Sequence, residues 1–129
     1  MAQLRPIRRR AAMHQGHVIT IAPAEGRVVV RWRGRVVADS RRALELREAA
    51  YPPVLYIPRE DADMALFVRT AHRTVCPYKG DANYFSLREG ESDDVDAVWT
   101  YEAPKPGVAA IKDHIAFYPD RVEITRERE

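Results

Sequence analysis

A single cysteine, Cys76, in 129 residues excludes an intrachain disulfide framework. It also excludes the second thiol that a Cys-x-x-Cys zinc site needs, so His72 and Cys76, four residues apart, make a poor start for a metal centre. No apolar run approaches the ~20 residues that cross a bilayer. No cleavable apolar leader heads the chain, and with one lone thiol the expected compartment is a reducing cytoplasm. A Gly-rich phosphate loop, a Walker pattern and a dinucleotide fingerprint are all missing. No cofactor, no metal and no membrane contact are therefore expected.

What is present is one domain of ordinary globular sequence, 46% hydrophobic and long enough to bury roughly two thirds of the surface its unfolded form exposes. The charge is uneven. Arg5, Arg8, Arg9 and Arg10 stand in residues 1–13 without an acid, leaving 17 of the 21 basic groups to face all 19 acids elsewhere. The basic excess thus belongs to a short arm, expected to be flexible. A domain that grips nucleic acid carries basic charge on its folded part as well, so nucleic acid is not the expected partner.

Hydropathy alternates with period two over 17–21 and 27–32, where Val28, Val30 and Trp32 share a face opposite Arg27 and Arg31. Arg33-Gly34, before Val36 and Val37, has the spacing of a tight hairpin, so the first three strands read as a meander. Ser40 then offers an N-cap to an amphipathic helix over 41–50, stopped by Pro52 and Pro53. On that helix Ala43, Leu46 and Ala50 share one face, Arg41, Glu45 and Glu48 the other, and Arg42 and Arg47 flank the apolar stripe. Strands follow at 54–57, 64–69, 75–76, 82–87 and 97–101, then a second short helix over 106–113 and a last strand at 122–125. Residues 126–129 form a charged tail expected to fray. The pattern predicts a single, mainly β domain over 14–125: two packed antiparallel sheets or a small barrel, with one or two short helices.

The segment Thr74-Val-Cys-Pro-Tyr-Lys-Gly80 gathers a thiol, an aromatic ring and an amine at one strand end. In the next strand Tyr84 and Ser86 share a face, and in the one after, Ala97, Trp99 and Tyr101 do. If Tyr84 and Trp99 face the same interior, they make an aromatic box with Cys76 and Lys79 at its rim. Plainer accounts stand beside this one: aromatic stripes fill cores, a lone thiol behaves as a small hydrophobe, and a turn lysine is solvated. Cys76 can also be paired on paper with His72, His17 or His114 for nucleophilic catalysis. Three carboxylates at 59–63 most simply cap a turn.

Five ordered blocks resemble a bacterial family called domain of unknown function 427. They are Gly34-Arg-Val-Val-Ala-Asp-Ser-Arg-Arg-Ala43, Tyr51-Pro-Pro-Val-Leu-Tyr-Ile-Pro58, Cys76-Pro-Tyr-Lys-Gly80 with Tyr84, Val98-Trp-Thr-Tyr101 with Pro104, and Ala116-Phe-Tyr-Pro119. The resemblance covers residues 14–125 and implies a β-tent fold, in which two antiparallel sheets pack together and enclose a small cavity. Zinc-bearing β-tent proteins use paired cysteines that this sequence lacks, so the metal does not carry over. A nucleotidyltransferase-like label attached to the family finds no supporting residues here. Its motif positions with polar or aromatic chemistry are Arg42, Tyr56, Cys76, Tyr78, Lys79, Tyr84, Trp99 and Tyr101.

The expectation drawn from these residues is a cavity for a small molecule. Trp99, Tyr84 and Tyr101 would stack on a flat apolar or heteroaromatic group, with Arg42 or Lys79 neutralising an anionic part. A thiol-dependent enzyme using Cys76, and an interaction module using edge strands or the arginine arm, are the alternatives.

Overall fold

Valine-rich and aromatic segments with alternating burial pair into two antiparallel sheets in the computed structural model, which describes residues 11–14 and 17–128. The strands are β1 (Ala11–His14), β2 (His17–Pro23), β3 (Arg27–Trp32), β4 (Arg35–Ser40), β5 (Leu44–Glu48) and β6 (Val54–Pro58). They continue with β7 (Phe67–Cys76), β8 (Gly80–Glu89), β9 (Ser92–Tyr101), β10 (His114–Phe117) and β11 (Glu123–Glu127). The larger sheet runs in the order β1, β2, β5, β6, β10, β9, β8, β7, and the smaller runs β11, β3, β4. No helix among the described residues is long and apolar enough to cross a membrane.

Because successive side chains alternate, the larger sheet buries apolar groups on both faces. Ile57, Phe85, Leu87, Val98, Ile115 and Phe117 pack with Val28, Val30 and Trp32 of the smaller sheet. Tyr56, Ala82, Tyr84, Tyr101 and Ala116 form a second cluster with Ile19, Leu46 and the 3-10 turn residues Val108 and Ile111. The first cluster holds the two sheets together. The second surrounds the candidate site.

The predicted mainly β domain of two antiparallel sheets is what forms. The helix over 41–50 does not. Its residues make β5, hydrogen-bonded to β2 on one side and β6 on the other, because pairing on two edges outweighs the local helical pattern. Ser40 accepts the Arg42 N–H at 2.9 Å, closing a turn instead of starting a helix. The second predicted helix is a 3-10 turn over Pro106–Ile111.

Nor do the first three strands form a meander: β2 pairs with β1 and β5, while β3 joins β4 and β11 in the other sheet. The chain crosses between sheets at residues 24–26. The segments at 64–69 and 75–76 belong to one edge strand, β7, preceded by a short 3-10 turn (Met64–Leu66). At the C-terminus, Arg126 and Glu127 pair with Val28 and Arg27, so the start of the expected frayed tail is part of a sheet. The arginines of the arm lie outside the described residues, and residues 11–13 belong to β1.

The crossing depends on Gly26, whose φ of 80° suits glycine. A Cβ there would stand 2.3 Å from the Glu127 carbonyl oxygen, a backbone atom that moves only with β11. Gly26→Ala is therefore expected to cost about 2 kcal/mol or more in a urea titration and to loosen β11 first. A second anchor is Glu102, which accepts 2.6 Å hydrogen bonds from Arg69 and from Arg59. The Arg69 bond, helped by Arg59 against partial burial, holds its carboxyl at about 2. A depressed carboxylate stabilises the fold above its ordinary value of 4.5, and that contribution fades as the pH falls toward about 2. Glu102→Gln should flatten this part of the acid-unfolding profile; an unchanged slope would remove the anchor from the account.

Candidate functional site

On the second face of the larger sheet, the register brings together the aromatic residues of separate strands. Tyr84 lies directly across from Trp99, Trp99 across from Ala116, and Ala82 across from Tyr101. Two alanines thus stand beside two large rings, and the missing side-chain volume leaves room above them. The resulting cavity has a volume of about 710 Å³, within the range of small-molecule sites. Its wall includes Tyr56, Tyr84, Trp99, Tyr101 and Tyr118, with Val54 and Val75.

The rings hold one another in place. Trp99 Nε1 donates to the Tyr56 hydroxyl at 3.2 Å, with the two rings nearly perpendicular at 87°. Tyr118 lies against Trp99 at a centroid distance of 4.6 Å. The Tyr84 hydroxyl hydrogen-bonds the Thr74 hydroxyl at 2.9 Å, and His72 leans on the Tyr84 ring. Burial raises the phenols of Tyr56 and Tyr101 well above the ordinary value and pushes Tyr118 up to about 12. All three remain protonated near neutral pH.

One wall is ionic. The β7–β8 turn, Pro77-Tyr78-Lys79, is closed by Gly80, whose φ is positive and where a Cβ would stand 3.3 Å from the Ala103 carbonyl oxygen. This turn directs Lys79 inward, where it is 8% exposed and donates to Glu48 Oε1 at 2.5 Å. The other carboxylate oxygen of Glu48 lies 2.7 Å from His17 Nε2. The His17 ring stacks on Tyr78 with centroids 3.8 Å apart and planes 6° from parallel. Burial pushes the Glu48 carboxyl up, but the hydrogen bonds from Lys79 and His17 outweigh it and hold the group below its ordinary value.

Seven of the eight residues singled out from the sequence line this cavity: Tyr56, Cys76, Tyr78, Lys79, Tyr84, Trp99 and Tyr101. Arg42 does not. It is exposed and donates to Asp61 at 3.0 Å, since the helix that would have set it beside the apolar stripe is absent. Ala97 also leaves the predicted Trp99 face. A bulge opposite Ser86, with Asp96 at φ 54°, turns Ala97 into the core between the sheets.

Cys76 is half-buried in the cavity wall, and among the described residues no histidine hydrogen-bonds it. His17 is engaged with Glu48, while His114 Nδ1 lies 2.9 Å from the Lys112 carbonyl oxygen. Among the described residues, no group of three or more His, Cys, Asp or Glu is placed to hold a metal ion.

Glu48 is the residue that sequence reasoning missed, and His17, considered there only as a partner for Cys76, meets Glu48 instead. On a helix, Leu46 and Glu48 diverge; on β5 they share a face, and both line the cavity. No local signal marks that choice.

The fold and the cavity place the molecule among two-sheet β domains with an aromatic pocket open at one side. The chain belongs to the domain of unknown function 427 family (DUF427), whose model matches residues 20–128. A comparison with curated proteins finds no match.

Removing the Glu48 charge leaves a buried ammonium without its counter-ion. Glu48→Gln is expected to cost about 2–3 kcal/mol, whereas Glu48→Leu combined with Lys79→Met should cost less than the two single changes summed. The Glu48 contribution is present above its ordinary value of 4.5 and declines as the pH falls below it. Additive single effects in denaturant titrations would show that the pair is not coupled.

Proposed function

We propose that this protein binds a small, flat, largely apolar molecule in the cavity on the second face of the larger sheet. The observation that carries the reading is the join of Tyr84, Trp99 and Tyr101, brought from two strands, with Tyr56 and Tyr118 around a space of about 710 Å³. Trp99 supports it further. Trp32 is 1% exposed and belongs to the core, whereas Trp99 keeps part of its surface free within the pocket. Stacking on such rings adds to the gain from removing an apolar ligand from water.

Charge neutralisation has a smaller part than the residue types suggest. Arg42 is elsewhere, and the charge of Lys79 is already met by Glu48. The ring, not a net charge, is therefore what the cavity selects. Binding takes place in a reducing cytoplasm, where Cys76 stays a free thiol.

Indole is a suitable first probe. It should raise the melting temperature of the wild-type chain, since a ligand of the native state adds apparent stability, and it should change the Trp99 fluorescence. Trp99→Ala is expected to unfold cooperatively and to lose at least ~10-fold in indole affinity, the equivalent of about 1.4 kcal/mol. If Trp99→Ala is unfolded and Trp99→Phe binds no indole while remaining stable, the ring serves the pocket. If indole neither stabilises nor binds the wild-type chain, the reading fails.

A further inference from the structure

The cavity also carries hydrogen-bond donors whose capacity its own walls do not fill, and the inference from them rests on the binding reading above. Tyr101 is 6% exposed and lines the cavity, yet its hydroxyl has no hydrogen-bond partner among the described residues. Burial first, then the nearness of Tyr56, Cys76, Tyr84 and Glu48, keeps this phenol protonated. Each of those neighbours also lines the cavity, so the Tyr101 hydroxyl sits among groups that face the same space. Its proton is available to an occupant.

Lys79 adds to this. An ammonium has three N–H donors, and among the described residues Glu48 Oε1 is its acceptor. At 8% exposure, bulk water does little to satisfy the rest. Donors with capacity to spare at a pocket wall favour an occupant that presents an acceptor. Acceptors on the same wall are, by contrast, already engaged: both Glu48 oxygens are occupied, and the Tyr56 hydroxyl oxygen accepts from Trp99. The pocket is rich in donors and short of free acceptors.

The balance of charge narrows the choice. Among the described lining residues, Lys79 and Glu48 are the only Lys, Arg, Asp or Glu, and they cancel. A ligand carboxylate would add a second negative charge beside Glu48, where Lys79 and His17 are already engaged with the first. A ligand amine would find the one carboxylate already held by two partners. We infer that the occupant is a flat ring bearing a neutral carbonyl oxygen, which accepts hydrogen bonds from the Tyr101 hydroxyl and the Lys79 ammonium. Its aromatic part lies against Trp99 and Tyr84.

Calorimetric titration of the full chain with three matched probes tests this: 3-acetylindole, 3-ethylindole, which lacks the oxygen, and indole-3-carboxylate. The acetyl compound should bind about 10-fold tighter than the ethyl compound, and tighter than the carboxylate at neutral pH. Tyr101→Phe removes a hydroxyl that bonds nothing in the protein, so it should leave folding intact. It should weaken 3-acetylindole about 5-fold or more and leave 3-ethylindole unchanged. Equal affinity for the acetyl and ethyl compounds, or no effect of Tyr101→Phe on 3-acetylindole, overturns the donor assignment while the aromatic-cavity reading stands. Tighter binding of the carboxylate overturns the neutral-carbonyl assignment. Binding of none of the three overturns both.

Discussion

The Glu48 carboxylate joins β2, β5 and the β7–β8 turn, two neighbouring strands and a turn from the far side of the larger sheet. It accepts from Lys79 in the β7–β8 turn and lies against His17 on β2, while its own backbone is part of β5. Each partner is 31 residues away in sequence, on opposite sides. A lysine as buried as Lys79 is tolerated only beside an opposite charge and a fixed acceptor. The turn that carries Lys79 also carries Cys76 and Tyr78 at its flanks, so the Glu48 contact sets the position of a whole side of the cavity. His17 reinforces that position by stacking on Tyr78 while its Nε2 is directed at Glu48.

The rest of the cavity follows from a local shortage of volume. The face toward the smaller sheet is filled by Phe85, Leu87, Val98, Ile115 and Phe117, and it closes into a core. The opposite face carries Ala82 and Ala116 beside Tyr101 and Trp99, so side-chain volume is missing next to the large rings. At the mouth, apolar groups remain in water, with Val75 at 76% exposure and Tyr51 at 67%. Both line the cavity. An exposed apolar rim thus leads to a largely buried aromatic wall.

Much of this was legible from local pattern. Period-two hydropathy located β2 and β3, since one face of each must avoid water, and the segments marked at 54–57, 82–87 and 97–101 fall within β6, β8 and β9, the last two of which extend further toward their shared turn. Trp99, Tyr84, Tyr101 and Lys79 were recognisable as a group because two strands and one turn lie next to each other in the chain. What failed was information carried by distant pairing. Residues 41–50 have a helical spacing of apolar groups, yet β2 and β6 offer hydrogen bonds on both edges, and the segment extends. That single change moves Glu48 from an exposed helix face into the cavity, and it leaves Arg42 in a turn bonded to Asp61. β10 was hidden for a related reason: its four residues are too few to show a period.

The sequence by itself determined the mainly β class, the tight turns at Gly34 and Gly80, and the identity of most aromatic residues around the pocket. These are consequences of side-chain periodicity and backbone freedom, which act over a few residues. Only the tertiary structure decided that β2 leaves β3 for β5, that Lys79 meets Glu48 and His17, and that Arg42 stays outside. Each of those outcomes depends on which edges and charges become neighbours when two sheets close, and such neighbours are fixed by competition across the whole fold.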